Sequence, residues 1–561
     1  MLSGCFASPP QIIGLDPGRE QQGVAADASI SVQFDRPVQR ASFVGRFTIA
    51  PPIRGCDIDA ALTGRPAGTC RVVWEAGDTE FVVQHPGAIL KPSTHYLFTL
   101  RGGFSDPQGS VNSLDHGWGM STAPAPLVRA ASPGDGALDV PVDSPIAISF
   151  SEPMASTPTL ASISLSPSPP ETRVVGNARD PGRFVILPGR LMAPTTTYRV
   201  DVSGLATNQH GQALAVPWST TFTTGALSTT PHALVLERSR GEVPSRLVMT
   251  ALAATQAGDP IPVAALVTAP RCGLPSGCGQ AAAGSPLVEL ATPALAPGGR
   301  WLALVERDQT TAARTPTIVV IDPATGTTVA TATGGSLPSW SPDGTTLAYA
   351  HGAEVRLLNL ATGATSALPS GDPLVTAPLW GPNGELLVLD AGGPGAVEHI
   401  DLADAVIGAR YPFPKLAGPT SAPVISPDGA LLAVFRSGEA LAGTWLVNVG
   451  DPSAPRQLNP DLVPVGYSGA RTLIAITRAG GGASGLVRVN VADNVQIAIP
   501  HTSGAALLSS VRVTPSGRQL LFLAPDAAGV TQGFVENVDG SDPQQLTTFD
   551  IGTDAVAVVA G

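Results

Sequence analysis

Short runs in which apolar and polar residues alternate dominate the first third of this chain. Ile30, Val32 and Phe34 are separated by Ser31 and Gln33, and Ile146, Ile148 and Phe150 by Ala147 and Ser149. Alternation with period two places one set of side chains on a single face, so each run predicts a β-strand with one buried side. Further on, apolar stretches such as Thr346-Leu347-Ala348-Tyr349 and Leu431-Leu432-Ala433-Val434-Phe435 are bounded by Pro, Gly and Asp, which predicts more strands joined by tight turns. The pattern is that of a nearly all-β protein.

The runs recur. Val24 to Pro37 lines up with Val140 to Pro153 at an offset of 116, whereas Pro92-Ser93-Thr94-His95-Tyr96 lines up with Pro194-Thr195-Thr196-Thr197-Tyr198, and Gly109 with Gly211, at an offset of 102. The first copy therefore holds 14 extra residues between these blocks. Each copy has the size and strand rhythm of an immunoglobulin-like β-sandwich. In the second, Ser132-Pro133-Gly134-Asp135-Gly136-Ala137, Asp139-Val140-Pro141-Val142-Asp143, Phe150-Ser151-Glu152-Pro153-Met154, Thr196-Thr197-Tyr198 and Phe222-Thr223-Thr224-Gly225 closely resemble the bacterial Ig-like domain named after the S-layer protein SbsA. That resemblance spans almost all of 127–225. The first copy departs from it by its insertion and by Val38 where the pattern has methionine. The resemblance implies a spacer or adhesion module on a cell surface, with no catalytic residue.

From residue 231 the punctuation changes. Ser341-Pro342-Asp343-Gly344 recurs as Gly381-Pro382-Asn383-Gly384, Ser426-Pro427-Asp428-Gly429 and Thr514-Pro515-Ser516-Gly517, with Ala296-Pro297-Gly298-Gly299 before them and a degraded Tyr467-Ser468-Gly469-Ala470 between. Successive prolines are 45, 40, 45 and 88 residues apart, the last interval being two steps across the degraded copy. A period of 40–45 is that of a four-stranded propeller blade, and Pro at the second and Gly at the fourth position suit a type I turn. These motifs, each followed by an apolar strand, closely resemble the WD40-like repeat of the TolB propeller family over roughly 285–550. The three apolar runs in 233–269 and the run Asp554–Val559 carry no turn motif; joined, they make a further blade. The expectation is seven blades, with six as the alternative.

The expected fold is thus all-β: two tandem Ig-like β-sandwiches followed by a β-propeller. The domains are 1–9, a lipobox remnant or linker; 10–123, the first sandwich; 124–226, the second; and 227–561, the propeller. The 62 glycines and 55 prolines stay below the roughly 25–30% at which disorder becomes the better reading. With 32 basic against 44 acidic residues and a net charge of −12, no basic face exists for phosphates, so nucleic acid is not an expected partner.

Five cysteines add a compartment. Cys56 and Cys70 lie inside the insertion and Cys272 and Cys278 enclose a five-residue loop, so each pair is expected to form a disulfide outside the cytosol. Closing the first loop contributes on the order of 3 kcal/mol. Zinc is the rival for the first pair, but two cysteines without a nearby histidine are an incomplete site. Cys5 is alone. Leu2-Ser3-Gly4-Cys5 resembles the lipobox of bacterial lipoproteins, which implies a diacylglycerol on the Cys5 thiol; the other account is a free thiol at a chain end. Only Met1 precedes the box, so the basic and apolar parts of a signal peptide would lie upstream of this start.

Catalytic chemistry is hard to find. The eight histidines are scattered and form no H-E-x-x-H pair. Gly466-Tyr467-Ser468-Gly469-Ala470 comes nearest to a nucleophile elbow, yet it occupies a propeller turn position and no α/β hydrolase domain accompanies it. Asp115-His116-Gly117-Trp118 is the most suggestive local cluster, and alignment with Leu214–Trp218 of the second copy makes it the approach to a final strand. Asp343 and Asp428 are expected to serve turn geometry rather than calcium. A metal-dependent propeller lyase would need His351, His399 and His501 to converge in the central channel.

The reading that results is a non-catalytic, extracytoplasmic, lipid-anchored binding or scaffold protein without cofactor. Its expected partner is an envelope or surface protein or a cell-wall polymer, with the membrane reached through the lipid anchor. A structural subunit of a surface layer and a propeller lyase or hydrolase are the alternatives. The excursions Arg307–Pro316, Gly392–Gly395, Gly438–Gly443 and Gly480–Ser484 each follow the strand after a P-x-G turn and are expected to gather the partner site on one face. Intact mass should show the disulfides 56–70 and 272–278 and a lipid on Cys5 of the full-length gene product; free thiols at all four internal positions would remove the exported assignment.

Overall fold

The computed structural model describes residues 8–228 except 88, and beyond them 230, 232–237, 246–252, 259, 264–268, 288–308, 315–323, 326–352, 354–368, 375–390, 396–401, 406–412, 423–436, 443–450, 454–477, 485–500, 507–549 and 553–559. Two sandwiches come first. One sheet of the first sandwich has the spatial order Ile12–Asp16, Ile30–Phe34, Glu80–Gln84, Arg71–Glu75, and the other Gln21–Val24, His116–Thr122, His95–Leu100, Phe47–Ala50. The second repeats this with Val128–Ser132, Ile146–Phe150, Arg183–Leu187, Arg173–Gly176 and with Ala137–Val140, Trp218–Thr224, Thr197–Val202, Ile163–Ser166. The alternation read from the sequence is the cause: Ile30, Val32 and Phe34 are buried with Phe43, Phe81 and Phe98 in one core, and Ile146, Ile148 and Phe150 with Phe184, Tyr198 and Phe222 in the other.

The same polar bonds close both sandwiches. Tyr96 Oη accepts from Lys91 N at 2.9 Å while Thr122 Oγ1 donates to Lys91 O, and Tyr198 Oη accepts from Ala193 N at 2.9 Å while Thr224 Oγ1 donates to Ala193 O. These pairs keep the offset of 102 to the last strand, so His116 is the counterpart of Trp218, and Trp118 that of Thr220. The alignment of Asp115–Trp118 with Leu214–Trp218 is therefore corrected by two residues, because buried Met120 must match buried Phe222 on the core face.

The insertion between Ala50 and Arg71 carries one short helix, Ile58–Leu62, whose Ala60, Ala61 and Leu62 are buried in the first core. Cys56 and Cys70 are joined, with Cα atoms 5.2 Å apart. Gly68 bridges back to Cys56 at a φ of 73°, where a Cβ would lie 2.1 Å from Gly55 O, so only glycine lets these two segments touch.

Beyond residue 231, seven four-stranded sheets follow one another among the described residues. The first is built from both ends: Thr553–Val559 pairs with His232–Glu237, which pairs with Arg246–Ala251 and then Ala264–Thr268. The strand Thr553–Val559 also lies against Leu507–Val513 of the last sheet and Val288–Leu295 of the second, as the first strand of a sheet must to close a ring. Neighbouring sheets interlock through their inner strands, with Trp340 Nε1 donating to Ala294 O at 2.8 Å. The turn motifs are self-contained: Ser341 Oγ donates to Asp343 Oδ1 and accepts from Thr346 N, and Ser426 does the same with Asp428 and Leu431.

The second sandwich does not merely precede the propeller. Its core continues through Leu234, Leu247, Met249, Leu302, Leu304, Val319 and Ile321 of the first two sheets, whereas the core of the first sandwich contains residues of 24–120 alone. Gly299, at a φ of 71°, leaves room for Leu227 over the turn between the first two strands of the second sheet, Val288–Leu295 and Leu302–Asp308. Removing residues 553–559 is therefore expected to lower the unfolding temperature of the second sandwich and the propeller together, with the first sandwich keeping its own transition in calorimetry. The shared core couples the second sandwich to the ring, so the two unfold together.

Candidate functional site

A buried cluster of polar groups lies where the second sandwich and the propeller meet. Asp143 ends the turn after Ala137–Val140, and His232 opens the strand His232–Glu237. His232 Nε2 donates to Asp143 Oδ2 at 2.9 Å, with side chains 0% and 8% exposed. Ser228 adds two bonds to the same carboxylate, from its N at 2.9 Å and its Oγ at 2.6 Å. Serine, histidine and aspartate are all present, but Ser228 and His232 converge on the carboxylate instead of forming a relay, so the arrangement is a clasp. At the other end of the strand Ile146–Phe150, Asp259, which lies between Arg246–Ala251 and Ala264–Thr268, accepts from Arg183 at 2.8 Å and from Asn177 at 2.7 Å.

Asp143 has a counterpart in the first sandwich. At the offset of 116 it is Asp27, and Asp27 Oδ1 meets His210 Nδ1 of the second sandwich at 3.0 Å. The same position of the repeat thus grips a histidine of the following domain twice. Burial distinguishes the two joints: Asp27 and His210 are 38% and 52% exposed. An exposed pair is worth about 0–1 kcal/mol, whereas removing one partner of a buried pair costs about 3–5 kcal/mol. The sequence held a signal for this site, the aligned aspartates, but not for their partners.

Burial opposes ionisation of Asp143, but the hydrogen bonds from His232 and Ser228 outweigh it and hold its pKa below the ordinary carboxylate value. At Asp259, too, burial is outweighed, here by Arg183 and Asn177. A carboxylate with a lowered folded-state pKa stabilises the fold above its unfolded value of about 3.9, and that stabilisation is lost as pH falls through the folded value.

His116 begins the last strand of the first sandwich, half-buried 5.9 Å from the Phe104 ring, and burial, then Arg19, pushes its pKa down. Asp115 turns away to accept from Gly102 N at 2.8 Å. Ser468 lies within the strand Leu462–Gly469, not on a strand-to-helix turn, because Tyr467 beside it is buried in the blade core. His351 and His399 fall on the second and third strands of the third and fourth sheets, away from the inner strands that line a channel. The carboxylates of Asp343 and Asp428 are held low by hydrogen bonds from Ser341 and Ser426 and then from backbone N–H groups of their own turns. Cys5, Cys272, Cys278 and His501 lie outside the described residues, as do Gly392–Gly395 and Gly480–Ser484 and most of the other two excursions.

Residues 7–122 and 121–224 each match the family model of the bacterial Ig-like domain. The N-terminal part of the chain is thus a tandem of bacterial Ig-like domains. Among solved structures, TolB from Acinetobacter baumannii is 13% identical over 66% of this chain and 80% of its own, with a TM-score of 0.36. A protein assigned as TolB in Agrobacterium tumefaciens is 17% identical over 41% of this chain and 86% of its own, at 0.32. The propeller domain of the Trilobed protease from Pyrococcus furiosus, described as having an open velcro topology, is 10% identical over 47% of this chain and 84% of its own, at 0.37. No curated protein matches the sequence.

Asp143→Ala, which strands His232 in the interior, is expected to destabilise the shared unit by about 3–5 kcal/mol. Asp27→Ala should change stability by about 1 kcal/mol or less. Denaturant unfolding of the two variants at neutral pH measures the difference, and the effect of Asp143→Ala should shrink as pH is lowered below about 4.

Proposed function

We propose that this chain is a non-catalytic, extracytoplasmic binding protein, lipid-anchored at Cys5, in which two sandwiches of the SbsA type present a TolB-like propeller to an envelope or surface protein or a cell-wall polymer. The observation that carries the reading is the pair of unequal joints. The clasp at Asp143 and the continuous core hold the second sandwich and the propeller as one stiff unit. At the other joint the copy of that clasp at Asp27 is exposed and the two sandwich cores stay separate, so the first sandwich is held less firmly. A stiff presenting unit on a soft joint suits a molecule that must reach a partner from a fixed base. The Cys56–Cys70 bond fits an oxidising compartment, and the match to bacterial Ig-like domains fits a surface setting.

The alternative of a surface-layer subunit makes a different prediction about stoichiometry. Fractionation of cells carrying the full-length gene should place the wild type with membranes and Cys5→Ser in the released fraction, and capture from native envelopes should recover a partner in substoichiometric amounts. Recovery in the cytosol with Cys56 and Cys70 reduced would overturn the proposal, and a stoichiometric lattice would replace it with the structural alternative.

A further inference from the structure

The second sandwich covers one face of the ring over its first two sheets. It is the face from which the turns between first and second strands and between third and fourth strands leave, since Leu227 packs on the turn at Gly299 and Arg183 binds Asp259 between the third and fourth strands of the first sheet. On the same face, where the fifth and sixth sheets adjoin, a cleft of about 240 Å³ opens. Its floor is apolar, made by Leu431, Leu446 and Val491, and Arg456, Arg471 and Asn448 stand around it.

The two arginines are held differently. Arg456 opens the outer strand of the fifth sheet, and its Nη2 donates across the cleft to Val491 O, which fixes the guanidinium over the seam. Arg471 stands in the turn just before the strand Thr472–Thr477 and is exposed. Asp428 feels its charge, yet that carboxylate is occupied by Ser426 Oγ and Ala430 N of its own turn. Two guanidiniums beside one apolar floor give the cleft a basic rim.

Size and chemistry narrow the occupant. The cleft is smaller than the roughly 300–1,000 Å³ of sites for drug-sized ligands, which leaves room for a single side chain. Guanidinium forks match a carboxylate, and an aliphatic floor matches a short methylene stem. We propose that this cleft is an anchor pocket for one glutamate side chain of a protein partner, its carboxylate on Arg471 and Arg456 and its stem on Leu431, Leu446 and Val491. The proposal goes beyond the binding reading and takes from it only that the occupant belongs to a protein. It places recognition on the sandwich-bearing face, because the strands flanking the four excursions end on the opposite one.

Titration of the full chain with N-acetylglutamate amide and N-acetylglutamine amide, followed by saturation-transfer NMR, tests it. The acid should bind saturably in the low millimolar range and about tenfold or more tighter than the amide. Arg471→Gln, at an exposed position, should weaken the acid about tenfold with an unchanged unfolding temperature, and Arg456→Gln should weaken it as well. Equal binding of the two compounds, absence of saturable binding, or wild-type affinity in Arg471→Gln would each overturn the pocket. Membrane fractionation and envelope capture are read separately, so failure of the pocket leaves the scaffold reading standing, and failure of the scaffold reading leaves the small-molecule titration interpretable.

Discussion

The pairing of the last strand with the first strand of the propeller governs everything beyond the second sandwich. A sheet edge left open exposes a row of backbone donors and acceptors, and in a ring of blades each open edge also uncovers the apolar face of its neighbour. Thr553–Val559 satisfies this by lying along His232–Glu237, with Val559 opposite His232. That register fixes where His232 stands, and His232 is the residue that Asp143 holds. The closure of the ring and the attachment of the sandwich are therefore two consequences of one strand pairing.

The attachment shows how a repeated element acquires two mechanical roles. Asp27 and Asp143 occupy the same place in duplicated sandwiches and both face histidine. Water decides their worth: screening and side-chain entropy consume the gain at the exposed pair, while at the buried pair an unpartnered group would be left inside. The surrounding apolar surface differs accordingly. Around Asp143 the sandwich core runs into the blades, and around Asp27 the two sandwich cores stay apart. A buried joint with a continuous core and an exposed joint between separate cores arise from one interaction in two environments.

The insertion in the first sandwich and the cleft between the fifth and sixth sheets are departures from the repeats that contain them. The insertion is tied by Cys56–Cys70 and by the close approach of Gly68 to Gly55, so it adds a fixed feature to that sandwich without disturbing the shared strand order. The cleft lies where the sixth sheet carries the degraded turn: where the other copies place a compact Pro-x-Gly loop, the strand Leu462–Gly469 runs on and Arg471 is set at its rim.

The sequence by itself determined the strands, the two sandwiches and the turn-delimited blades, since period-two alternation, a 116-residue repeat and a 40–45-residue repeat are local or translational patterns. It also placed the insertion, because a change of offset is visible without coordinates. It did not determine that the second sandwich and propeller share a core, nor the register that makes His116 the counterpart of Trp218. Those depend on which faces are covered, and an exposed and a buried apolar residue read alike in a sequence. Asp143 and His232 stand 89 residues apart in different domains, and Arg456 and Arg471 in different sheets. No periodicity links such pairs; only the packing of one sheet against the next brings their charges together.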